Sequence, residues 1–155
     1  MVPFAKNTSV SVERTRAEIE ITLKRYGASA FGYMLRDTKS IIGFEYNQKS
    51  IRFELVMPDL QEFEYSPGGR WRGQKAIQQA YEQACKQRWR ALLLAIKAKL
   101  EAVESGIATF ETEFLSYIVT PSGRTVGEEL LPQIETMAGS GKVPTLLMLG
   151  KPGGH

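Results

Sequence analysis

The chain has 155 residues, 20 lysines and arginines against 17 aspartates and glutamates, 43% hydrophobic residues and a single cysteine, Cys85. That apolar content is enough for a core without metal or disulfide staples, and one cysteine excludes an intrachain disulfide. No apolar run approaches the roughly 20 residues of a membrane span, and the first ten residues lack the pattern of a signal peptide, so a cytoplasmic protein is expected.

Residues 11–26 read as a first helix. Ala17 and Ile21, and then Ile19, Leu23 and Tyr26, recur at spacings of three and four, Ser9 or Ser11 is placed to cap the start, and Gly27 follows the end. Three strands follow, over residues 30–36, 40–46 and 50–57. The third alternates cleanly, with Ile51, Phe53 and Leu55 on one face and Arg52 and Glu54 on the other. Residues 62–65 are expected to add a short edge strand, and Ser66-Pro67-Gly68-Gly69 is a loop.

A long helix is predicted over residues 73–104. At about 100° per residue, three sectors separate. Lys75, Gln79, Lys86, Arg90, Lys97 and Glu104 share one strip, which Leu93 interrupts. Tyr81, Cys85, Trp89, Leu92, Ile96, Leu100 and Val103 form the core face. Ala80, Ala84, Ala91, Ala95, Ala98 and Ala102 form a seam of small residues, expected to meet a second helix of this chain or of a partner.

Beyond Gly106 a short helix is expected over residues 109–119. Thr125 and Glu128 have the spacing of a capping box, opening a helix to about Met137 that Pro132 should kink or break. Residues 143–155 carry the apolar run Leu146, Leu147, Met148 and Leu149. The expected fold class is therefore α+β: an N-terminal helix, a three-stranded antiparallel meander, a long helix and a smaller helical C-terminal part. Residues 1–106 are expected to form the core domain and 107–155 an appendage.

Charge is distributed unevenly. Residues 66–99 carry a net +7, with Glu82 as the only acid, whereas the whole chain is only +3. The segment after Lys99 is net −4, so basic and acidic parts are placed to face each other within or between chains. Such a basic concentration is a footprint for a phosphate-bearing partner. Arg70-Trp71-Arg72 lies in the loop before the long helix, and Lys86-Gln87-Arg88-Trp89-Arg90 lies within it. Guanidinium groups bind phosphate and an exposed ring stacks on a base. The candidate nucleic-acid or nucleotide contacts are Arg70, Trp71, Arg72, Lys75, Lys86, Arg88, Arg90 and Lys97. The opposing reading is a solvated helix face, or one paired with the acidic segment.

Other chemistry finds little support. The only histidine is His155, and Cys85 falls on the core face, so no metal site, cofactor or Cys-His nucleophile is expected. Gly139-Ser140-Gly141-Lys142 lacks the framing glycine and following Ser or Thr of a phosphate loop, and reads as a helix terminator. Glu101, Glu104, Glu111, Glu113, Glu128 and Glu129 are the one group able to hold magnesium for phosphodiester hydrolysis, but capping and solvated positions account for them.

From Ser11 to about Leu149 the chain resembles a family of small proteins encoded in bacteriophages and prophages. The resemblance rests on Arg16-Ala17-Glu18-Ile19-Glu20, Arg25-Tyr26-Gly27-Ala28, Ile51-Arg52-Phe53 and Gln87-Arg88-Trp89-Arg90-Ala91-Leu92. It continues through residues 97–107, Phe110-Glu111 and Gly123-Arg124-Thr125-Val126-Gly127-Glu128. It implies a phage accessory protein acting in the host bacterial cytoplasm, and carries over no catalytic residue. The expected function is non-enzymatic binding of nucleic acid in phage DNA replication or recombination, by a homo-oligomer without a membrane partner. The alternative is an anti-defence protein that inhibits a host defence protein or sequesters a nucleotide signal. A magnesium-dependent nuclease is the third reading.

Overall fold

The computed structural model describes residues 10–142 and residue 146. Helix α1 spans Val10–Arg25, followed by strands β1 (Ala30–Arg36), β2 (Lys39–Tyr46) and β3 (Lys49–Val56). A 3-10 turn, Leu60–Phe63, leads to the long helix α2 (Gln74–Glu104). The short helix α3 (Phe110–Glu113), a 3-10 turn and helix α4 (Val126–Gly139) complete the α+β fold. Ser11 lies inside α1 rather than capping it, and the proposed Ser9 cap falls outside the described residues.

The sheet is an antiparallel meander in the order β1-β2-β3. Its turns contain only two residues each, Asp37-Thr38 and Asn47-Gln48, one fewer than expected, because Lys39 and Lys49 already pair within the ladder. One face presents Phe31, Phe44 and Ile51 in one row and Tyr33, Ile42 and Phe53 in the next. Both helices cover this face. Arg16 lies against Trp89, Glu18 pairs with Lys97 and Tyr26 with Glu104, so α1 and α2 run in the same direction.

Helix α2 buries Ile77, Tyr81, Cys85, Trp89, Leu93, Ile96 and Leu100. Leu93, and not Leu92, is therefore the deeply buried leucine of this turn. The reason is α1, which packs on that flank and widens the buried stripe; Leu92 and Val103 are half-buried at its other border. The alanine seam points the other way. Ala91, Ala95 and Ala98 are exposed, and no second long helix of the described residues covers them.

Residues 62–65 do not form the expected edge strand. Asp59 and Glu62 close a reciprocal cap on the 3-10 turn instead, and only Tyr65 bridges, to Trp71. Residues 109–119 do not form one helix either. The helix stops at Glu113, and Ile118 pairs with Ile51, so this segment extends the sheet beyond β3. Phe110 and Phe114 are buried in the same core as β2, β3 and α2, so packing runs on past Gly106 without a break.

The box of Thr125 and Glu128 caps α4 as anticipated. Pro132 does not end this helix, which continues to Gly139. Proline lacks the amide that would bond to the carbonyl four residues earlier. Here the Arg124 Nη2 donates to that Glu128 carbonyl at 2.8 Å and replaces the missing donor.

Burial distinguishes two adjacent leucines. Leu93 is 1% exposed and Leu94 is 54% exposed. Leu93→Ala is expected to cost about 2–5 kcal/mol in urea unfolding, and Leu94→Ala less than about 0.5 kcal/mol. Equal effects would contradict this placement of α1.

Candidate nucleic-acid interface

Six of the eight basic and aromatic candidates fall into two groups, and Arg88 and Lys97 stand outside both. The first sits at the start of α2. Tyr65 and Trp71 face each other across a narrow antiparallel bridge, closed by a bond from the Ser66 amide to the Arg70 carbonyl at 2.8 Å. Both rings are more than half exposed, at 58% and 55%. Arg70 and Arg72 flank Trp71 in sequence.

The N-terminus of α2 lies beside this hairpin. Gly73 precedes it with φ of 87°, a conformation that favours glycine, and supplies no side-chain cap. There is no acid in the first turn, where Lys75 stands instead. The partial positive charge of the helix end is thus reinforced rather than neutralised. In contrast, α4 has a capping side chain and two acids in its first turn.

The second group is Lys86 and Arg90, which line a groove of about 560 Å³ between α1 and α2. Arg14 from α1 adds a third cation, and Glu18 stands opposite. The groove is open, since Arg14, Gln83, Gln87 and Arg90 are all exposed on its walls. Lys97 lies further along, where its Nζ is 2.6 Å from the Glu18 carboxylate. Its bond and charge, with a smaller effect from Arg90, hold the Glu18 carboxyl below its ordinary range. Lys97 is thereby paired, and among the described residues it ends the unpaired part of the strip.

Arg88 belongs to neither group. It leaves α2 on another side, and its Nη1 donates to the Val56 carbonyl at 2.5 Å, fastening the helix to the end of β3. Lys75, Lys86 and Arg90 share one helix face, and from Lys75 to Arg90 the axis advances about 22 Å. Lys75, Lys86 and Arg90 thus lie along one face of α2, Arg70, Trp71 and Arg72 sit in the hairpin that precedes its start, and Arg88 and Lys97 are each bonded to other protein groups.

Two residues were not singled out from sequence. Tyr65 carried a signal, because Tyr65-Ser66-Pro67-Gly68-Gly69-Arg70-Trp71 frames a tight turn with an aromatic at each end. Arg14 carried none, since nothing local places α1 beside Lys86.

The acidic candidates are dispersed. Glu111 pairs with Lys49 at 3.2 Å, Glu113 with Lys99 at 3.6 Å and Glu128 with Arg52 at 2.9 Å. Glu104 accepts from Tyr26 at 2.6 Å, and Glu129 accepts from Ser122 and Thr120. Among the described residues, no three His, Cys, Asp or Glu side chains are grouped to hold a metal ion. Cys85 is buried, and burial raises its thiol pKa, which disfavours the reactive thiolate. Among the described residues, no helix is long and apolar enough to cross a membrane.

No family model, curated protein or solved structure matches the chain.

Several depressed carboxyls contribute to the response to acid. Glu128 is held low by the Thr125 backbone amide first and by Arg52 next, Glu18 by Lys97, and Glu111 by its own backbone amide and Lys49. Folding favours the ionised form of each group. Their contribution is therefore present above the ordinary value of 4.5 and lost as the pH falls through the lower folded values. Tyr81 has the opposite sign: burial pushes it up to about 12, so its contribution holds below 10 and is lost as the pH rises through the folded value. Melting temperature is expected to stay level between these limits. Replacing Glu18 and Glu128 by glutamine should flatten the acid limb, and an unchanged limb would remove these pairs from the account.

Proposed function

We propose that this protein binds single-stranded nucleic acid along one side of α2. The observation that carries the reading is the exposed Tyr65 and Trp71 pair beside an uncapped, cation-flanked helix start. Single-strand binding combines a positive track for the backbone with aromatic faces on which bases stack. In this reading Tyr65 and Trp71 receive bases, and Arg70, Arg72 and Lys75 hold the adjoining phosphates. Lys86, Arg90 and Arg14 continue the phosphate path into the groove beside α1. The openness of that groove supports a polymer over a small nucleotide, which would be better enclosed. The resemblance to phage and prophage proteins gives the reading its setting, as an accessory to phage DNA replication or recombination in the host cytoplasm. The exposed part of the alanine seam, Ala91, Ala95 and Ala98, supports association of copies along the strand. Arg88 and Lys97, each already held by a protein group, serve the scaffold.

The test is binding to a labelled oligonucleotide as a function of salt. Affinity is expected to fall steeply between about 50 and 200 mM, because each neutralised phosphate releases counterions. Charge reversal at Lys86 and Arg90 should weaken binding and flatten the salt slope while leaving the melting temperature nearly unchanged. Trp71→Ala should cost about 1–3 kcal/mol with single strands and much less with duplex. Absence of binding at about 50 mM salt would end this reading, since electrostatic attraction is strong there.

A further inference from the structure

The two edges of the sheet are treated differently. The β3 edge is covered by the chain itself, where the Val119 amide donates to the Ser50 carbonyl at 2.8 Å. The β1 edge pairs with nothing among the described residues. Strand β1 has seven residues, Ala-Phe-Gly-Tyr-Met-Leu-Arg, with no proline and with one charge, at its end. An edge of this kind is a template for another strand, and natural proteins usually blunt it with proline or charge.

A niche lies beside this edge, on the α1 side of the sheet. It has a volume of about 400 Å³ and is lined by Glu13, Arg16, Ala17, Glu20, Phe31 and Tyr33. The Arg16 guanidinium stacks 4.0 Å from the centre of the Tyr33 ring, and that ring leans on Trp89 at 5.8 Å. The Arg16 Nη1, the Tyr33 hydroxyl and the Trp89 Nε1 are each buried without a hydrogen-bond partner. All three can donate, and Arg16 has no carboxylate within ion-pair distance among the described residues. Buried donors left unpaired are costly, so such a cluster marks where an acceptor belongs.

We propose that the β1 edge and this niche form one docking site, which takes an extended peptide strand of a partner protein carrying a single carboxylate. The added strand bonds to the β1 backbone, and its alternate side chains fall on the α1 side of the sheet. A glutamate opposite Tyr33 then reaches the Arg16 guanidinium. Charge complementarity favours this occupant over a second copy of the chain, since the same face of β1 carries Phe31, Tyr33 and Leu35 and offers no carboxylate for Arg16. Glu13 and Glu20 on the rim restrict the strand to one acid, because an acidic run meets like charge there. The site is separate from the α2 surface and does not depend on binding of nucleic acid.

The test uses three ten-residue peptides of alternating valine and threonine with a lysine at each end. One has a central glutamate, one has glutamine in its place, and one has three glutamates on that side. With the full chain, the single-glutamate peptide is expected to slow hydrogen exchange of residues 30–36 and to bind about tenfold more tightly than the glutamine peptide. The three-glutamate peptide should bind more weakly than the single-glutamate one. Arg16→Gln should abolish the difference between glutamate and glutamine, and Arg16→Lys should restore part of it. Equal affinities for the first two peptides, tightest binding of the acidic run, or protection outside β1 would overturn the proposal. So would no binding at about 1 mM. These comparisons on the unaltered protein stand even where an Arg16 variant fails to fold. Protection of β1 that grows with protein concentration alone would assign the edge to a second copy and overturn the proposal as well.

Discussion

Trp89 is the contact on which the other elements depend. It is fully buried at the middle of α2, against the Tyr33 ring of β1 and beneath the Arg16 guanidinium of α1. A residue this large joins three elements in one place, and interiors packed at crystal-like density leave little freedom in how they meet. It fixes the rotation of α2 on the sheet. That rotation decides which α2 side chains are buried and which remain available at the surface.

The position of α1 follows from the same packing and has a direct effect on the basic face. Running in the same direction as α2, it covers Leu93 and pairs Glu18 with Lys97. The strip of cations that a helical projection draws from Lys75 to Lys97 is thus interrupted after Arg90. On its remaining length the strip gains Arg14. Exposed ion pairs such as Glu18 with Lys97 contribute little to stability, so this pair matters more for which charge it removes from the surface than for holding the helices.

The acidic C-terminal segment is held by a related use of charge. Lys49, Arg52 and Lys99 receive Glu111, Glu128 and Glu113, while Phe110 and Phe114 enter the common core. Of these cations only Lys99 belongs to the basic stretch of residues 66–99; Lys49 and Arg52 come from β3, so the acidic segment pairs mainly with the sheet. None of the residues at the α2 start or in the groove beside α1 takes part. The basic surface therefore keeps its charge, and the segment beyond Gly106 covers the β3 edge instead.

Local pattern was enough to identify α1, the three strands, α2 and α4, but not residues 62–65 or 109–119, where a 3-10 turn and a helix of one turn stand in place of the expected strand and helix. Alternation in β3, helical spacing in α2 and the box of Thr125 with Glu128 each depend on neighbours in the chain, and each gave the right element. The hairpin with Tyr65 and Trp71 at its ends was half legible, because Pro67, Gly68 and Gly69 announce the turn but not the pairing beyond it. Contacts between distant segments were not legible. Leu92 and Leu93 are equivalent until α1 chooses a flank, and Arg88 and Lys97 look like their basic neighbours until Val56 and Glu18 arrive. Pro132 reads as a break until Arg124 supplies the missing donor. Side-chain periodicity follows from backbone geometry and is written locally, whereas the partner of a charge or the flank of a helix depends on segments tens of residues away.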